Sequence, residues 1–118
     1  MTKTELNISE LNQYLSTFGY EKFCFLWREY LESSSQSWAN MDNLDLSEKK
    51  YIFHNWRAGS KIFGMDSFSL LCQKTEECII NCRTAKIEKL ISDCKKSYDE
   101  QAELVKIYIS QIKEDHEK

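Results

Sequence analysis

The sequence predicts an all-α domain, an antiparallel up-down four-helix bundle with a short N-terminal cover helix. Three observations carry this reading. The 118 residues include no proline and only three glycines, a shortage of the residues that sheet turns favour. Apolar side chains recur at spacings of three and four along most of the chain, the periodicity of a buried helix face. Two stretches, Asn7-Ile8-Ser9-Glu10 and Asp45-Leu46-Ser47-Glu48, have the form of capping boxes at helix starts.

The first box starts a short helix from Ile8 to about Phe18, with Ile8, Leu11 and Leu15 on one side. Gly19 ends it as a C-cap glycine. A longer helix follows from Tyr20 to about Met41, its apolar stripe being Phe23, Trp27, Tyr30, Leu31 and Trp38. The serine run 33–35 is expected to weaken its middle. Asp42 to Asp45 is a connector, and the second box starts a central helix that runs to about Phe63. Gly64 closes that helix in a left-handed conformation. Asp66 is expected to cap the next helix, with a stripe of Phe68, Leu71, Cys72, Thr75, Cys78, Ile79 and Cys82. A break between Asn81 and Thr84 leads to a last long helix, striped by Ile87, Leu90, Ile91, Cys94, Tyr98, Val105, Tyr108, Ile109 and Ile112. Short connectors make neighbouring helices antiparallel. Residues 1–118 form one domain without repeat or linker, and residues 1–6 and 113–118 are expected to fray.

Composition narrows the function. The formal net charge is −3 and there is no basic run, so nucleic acid is not an expected partner. No apolar run reaches the length of a membrane span, and the N-terminus lacks the layout of a signal peptide. A cytoplasmic location is the expectation. The five cysteines are an odd count, mostly on apolar helix positions, and are expected to be thiols. Cys78 and Cys82 sit four apart, a possible ligand spacing, but no second Cys or His pair accompanies them; they read as core thiols. His116 lies in the polar tail. No Gly-rich phosphate loop or Ser-His-Asp arrangement is present, so a self-contained enzyme is not expected.

The chemistry concentrates in His54-Asn55-Trp56-Arg57-Ala58-Gly59-Ser60-Lys61-Ile62-Phe63-Gly64. On a helical projection Ile52, Trp56, Gly59 and Phe63 fall within roughly 30° of one direction. His54 points the opposite way, with Lys50, Arg57, Ala58 and Lys61 within roughly 60° of it. A histidine on a water-facing basic face is placed to meet a partner. Neutral imidazole is a nucleophile, and as a cation it is a leaving group, the two properties of a reversible carrier.

His54, a basic residue three later (Arg57), a small residue four later (Ala58) and a glycine ten later (Gly64) resemble the signature of histidine-containing phosphotransfer (HPt) domains. Phe68, the pair Leu71-Cys72, and Glu76 continue the likeness, which covers nearly the whole chain. It implies a four-helix bundle that carries a phosphoryl group on histidine. The group passes between aspartates of response-regulator receiver domains, downstream of a hybrid sensor histidine kinase, in a two-component phosphorelay. The bundle itself has no kinase activity. On this likeness His54 is the phosphoacceptor through Nε2 and Arg57 balances phosphate charge. Lys50 and Lys61 do so at longer range. Ala58 leaves room for the receiver's loops, and Tyr51 and Ile62 flank the docking surface. Glu76 accepts a hydrogen bond from Nδ1–H and fixes the tautomer. No metal or cofactor is expected on this chain; Mg2+ belongs to the receiver. A monomer is expected.

Two positions depart from the family pattern, which more often has glycine at Ala58 and often a neutral amide at Glu76. A carboxylate there favours imidazolium, which is not nucleophilic, and equally steadies a phosphorylated ring. The alternative reading is therefore a non-catalytic adaptor or inhibitor that binds a receiver or kinase without carrying phosphate. A third is an unrelated helical interaction protein with no receiver affinity. Acid-labile label on His54 separates the first from the second.

Overall fold

The computed structural model describes residues 5–117, with side chains as far as residue 115. Residues 1–4 and 118, parts of the two ends expected to fray, and the His116 side chain lie outside the described residues. Within them the fold is all-helical, with no strand. Five α-helices follow one another: α1 (Ile8–Phe18), α2 (Tyr20–Asn40), α3 (Leu46–Gly59), α4 (Asp66–Ile80) and α5 (Ile87–Glu117). Tight 3-10 turns at Met41–Asn43, Ser60–Phe63 and Thr84–Lys86 link the longer ones.

Local chemistry explains most of the boundaries. The Asn7 carboxamide oxygen accepts from the Glu10 N–H at 3.1 Å and opens α1. Gly19, at φ 85°, closes it and donates its N–H to the Leu15 carbonyl. At the start of α3 both arms of the capping box form. Asp45 accepts from the Glu48 N–H at 2.8 Å, and Glu48 accepts from the Asp45 N–H at 3.2 Å. α2 stops at Asn40, one residue short of the expected Met41, which enters the 3-10 turn.

The serine run does not weaken α2. Ser34 is fully buried, its hydroxyl bonded to the Tyr30 carbonyl at 2.6 Å and to the Tyr98 hydroxyl at 2.6 Å. Tyr30 in turn shares a 2.7 Å hydrogen bond with Ser60. Burial pushes the Tyr30 phenol up in pKa, so it stays neutral. This chain of hydroxyls crosses from α2 to α5 and to the turn after α3, and the hydrogen bonds offset the cost of taking the hydroxyls out of water.

The core is largely aromatic. Trp38 of α2, Phe53 and Trp56 of α3, Phe68 of α4 and Tyr98 of α5 form one packed group. Ring centroids lie 4.9 Å apart for Trp38–Trp56, 5.5 Å for Phe53–Trp56 and 5.4 Å for Phe68–Tyr98. Each such pair adds about 0.5–1.5 kcal/mol beyond the area it buries. Phe53, absent from the expected stripe, is fully buried. The projection treated α3 as burying one narrow arc, but α3 packs on α4 and also meets Trp38 of α2, which widens the arc.

The turn between α3 and α4 is the tightest point. α3 narrows to a 3-10 helix, and Gly64 takes φ 69°, ψ 17°. Its N–H bonds the Lys61 carbonyl and the Met65 N–H bonds the Ser60 carbonyl, both at 3.1 Å, the two reversed bonds of a Schellman motif. The Gly64 carbonyl accepts the Asn7 N–H at 2.8 Å. A Cβ at Gly64 would stand 2.6 Å from the Asn7 carbonyl oxygen. Asp66 does not cap α4. It is the helix's first residue, and its carboxylate accepts from the Asn7 carboxamide at 2.8 Å. The cap comes instead from α5: the buried Gln101 accepts the Phe68 N–H at 2.9 Å and donates to the Glu5 carbonyl at 3.0 Å.

α4 ends in a second Schellman motif, with Arg83 N–H on the Cys78 carbonyl and Cys82 N–H on the Ile79 carbonyl. Cys82 occupies the left-handed position at φ 56°. It lies beyond α4 and is exposed, so it does not belong to the apolar stripe. The five cysteines are free thiols; burial pushes the Cys72 thiol up in pKa. Among the described residues no helix is long and apolar enough to cross a membrane.

Two substitutions test these turns. Gly64→Ala combines left-handed strain with a clash against backbone and is expected to cost about 3 kcal/mol, read as a lower urea midpoint. Cys82→Gly relieves left-handed strain against a smaller entropic loss and is expected to add about 0.5–1 kcal/mol in the same titration.

Candidate functional site

The site lies on the seam where α4 returns along α3. Phe53 and Trp56 set the rotation of α3 by entering the core, and His54, about 100° round from Phe53, emerges at the seam. His54 precedes Gly64 by ten residues, and Glu76 follows it by twelve. Because the 3-10 turn rises faster per residue than the α-helix, both side chains lie about 17 Å from the turn. The Ser69 hydroxyl, on the α4 face that meets α3, donates to the Arg57 carbonyl and ties the two helices between turn and site.

Glu76 Oε2 is 2.7 Å from His54 Nδ1, and Glu76 Oε1 is 3.4 Å from an Arg57 guanidinium nitrogen. The carboxylate side chain is only 8% exposed, whereas the His54 ring is 57% exposed. A buried carboxylate must be paired, and here both oxygens are. An ionised carboxylate only accepts, so the hydrogen-bonded Nδ1 carries the proton. In the neutral ring Nε2 then keeps its lone pair; it makes no hydrogen bond among the described residues and belongs to the exposed ring.

A shallow depression of about 470 Å³ opens beside the ring, lined by Ser47, Lys50, Tyr51, His54, Glu76 and Ile80. Tyr51 and Ile80 are 67% and 57% exposed. The structure thus brings together His54, Arg57 and Glu76, with Lys50 and Tyr51 alongside. Ala58 is exposed one turn after His54. Lys61 is exposed on the 3-10 turn and does not line the depression. Ile62 is half-buried and packs against the core. Ile80 was missed, although it stands four residues after Glu76 on α4, the spacing that puts two side chains on one helix face.

Chemically the arrangement is a nucleophilic nitrogen with its tautomer set, a cation one turn away and no enclosing wall. The ring is more than half exposed at the edge of an open depression, so a group presented by another macromolecule can reach it. Among the described residues no group of three or more His, Cys, Asp or Glu side chains could hold a metal ion. Comparison with family models, with curated proteins and with solved structures gives no match.

Proposed function

We propose that this chain is a histidine phosphotransfer protein of a two-component phosphorelay. His54 Nε2 accepts a phosphoryl group from the aspartate of one receiver domain and passes it to another. The observation that carries this reading is the half-exposed His54 ring, anchored at Nδ1 by the buried Glu76 so that Nε2 is the free nitrogen. In this reading α2 to α5 form the antiparallel up-down four-helix bundle and α1 covers one end of it.

Roles follow from position. Phosphoryl transfer requires in-line placement and neutralisation of charge on the equatorial oxygens. Arg57, 37% exposed and one turn beyond His54, offers a guanidinium for those oxygens; Lys50 on the rim of the depression adds a second cation. The receiver brings the acyl phosphate and the Mg2+. Tyr51 and Ile80, which both line the depression beside the ring, supply apolar contact, and Ala58 leaves clearance. The chain has no kinase activity of its own in this scheme and works as a cytoplasmic monomer between receiver domains and a hybrid sensor kinase.

A receiver charged with acetyl phosphate should transfer label to the wild-type chain, and the label should be acid-labile. His54→Gln should reduce it to background while leaving the helical circular dichroism unchanged. Equal labelling of that variant would overturn the assignment; receiver binding without any label would indicate an adaptor. Ala58→Trp should slow transfer at least about tenfold with stability within about 0.5 kcal/mol of wild type, because the site is exposed. Undiminished transfer by this variant would place the docking face elsewhere.

A further inference from the structure

We propose that Glu76 holds the Nδ1 proton on His54 through the whole transfer cycle, so that the phosphorylated ring stays cationic, and ready to leave, on the alkaline side of neutrality. The inference rests on the carrier reading of His54 and adds to it a positioning and charge-balancing role for one residue.

The balance of the step shows why the proton matters. The form of the ring that attacks is the neutral one, with Nδ1–H donated to Glu76 Oε2 at 2.7 Å. The Nε2 lone pair then forms the N–P bond and the aspartyl O–P bond breaks, its electron pair remaining on the receiver carboxylate. No proton has moved, and the ring has gained one positive charge. In the onward step the N–P electron pair returns to Nε2 and the neutral ring is restored. If the ring loses the Nδ1 proton to solvent while phosphorylated, it must depart as an imidazolate, a far poorer leaving group. Transfer then waits for reprotonation.

The charges around the ring decide whether the proton stays. On α4 the facing group is the Glu76 carboxylate, 8% exposed, where its field is weakly screened. On α3 itself two cations oppose a positive ring, Arg57 and Lys50. Arg57 bears on the other Glu76 oxygen at 3.4 Å, and Lys50 is exposed and screened by water. Tyr51 is the remaining titratable side chain at the depression. The nearest charge is the carboxylate in direct contact, and an opposite charge at that range favours the ionised form. A neutral amide could accept the same hydrogen bond but would supply no counter-charge.

The test uses the full chain phosphorylated with phosphoramidate, a small-molecule donor that needs no receiver. Loss of label is followed by 31P NMR, and protonation of Nδ1 by 15N shift. At about pH 5.5 wild type and Glu76→Gln should lose label at similar rates, since both rings are protonated. At about pH 8.5 wild type should lose it at least about tenfold faster, with Nδ1 still protonated. Glu76→Asp, which keeps the charge, should follow wild type. A general disturbance of the fold in Glu76→Gln would shift its rates alike at both pH values. Profiles for wild type and Glu76→Gln that coincide within a factor of two overturn the proposal, even if receivers discharge the protein normally. The expected profiles in a protein that no receiver can discharge would uphold it and remove the carrier reading instead.

Discussion

Gly64 is pressed against the backbone of Asn7, and much of the molecule depends on that contact. The left-handed residue reverses the chain between α3 and α4, and its carbonyl receives the Asn7 N–H at 2.8 Å. Asn7 also opens α1 and reaches Asp66 at the start of α4. One junction therefore sets three helix ends. It also sets the register of α4 along α3, and a slip of a single residue turns a helical side chain by about 100°. Glu76 would then no longer face His54, and a mostly buried carboxylate would lose its partners. The glycine ten residues from His54 and twelve from Glu76 thus governs the geometry of the imidazole.

The core and the site are joined in the same way. His54 stands beside Phe53, which is fully buried, and two residues before Trp56, which is nearly so. The aromatic group that those rings enter draws on α2, α4 and α5, so α3 cannot rotate without disturbing three other helices. Gln101 reinforces this from α5 by capping α4 at Phe68. A nucleophile held on a rigid element spends little free energy on orientation when its target arrives.

Much of this was legible in the residues wherever the governing chemistry is local. Capping at Asn7 and Asp45, the stops at Gly19 and Gly64 and the break after Asn81 depend on neighbours within a few positions, and they stand where the sequence places them. The features that escaped depend on distant partners. Ser34 looked like a weak point because Tyr98, 64 residues away, is invisible to a helical projection. Asp66 looked like a cap because Gln101, 33 residues beyond Phe68, supplies that bond from another helix. Phe53 fell outside the stripe because the width of a buried arc depends on how many helices surround it. Cys82 followed the stripe's spacing, but the chain had already turned left-handed there. The pairing of His54 with Glu76, 22 residues apart, came from likeness to a family pattern, since no local rule relates those positions.

The exposure of the site has a consequence for the proposed chemistry. A ring 57% open to water cannot by itself exclude water from a phosphoryl group, and exclusion is part of what makes such groups transfer rather than hydrolyse. In the carrier reading the partner must therefore supply the dry environment by covering the depression. Tyr51 and Ile80, the most exposed large apolar side chains at its edge, are the surface such a partner would remove from water. The cations at Arg57 and Lys50 would then act in a lower dielectric than they meet in the free protein, where each charge contact counts for more. In that reading chemistry would be coupled to docking: the free chain would hold the nucleophile in its reactive tautomer, and transfer would become fast only when a second surface closed over it.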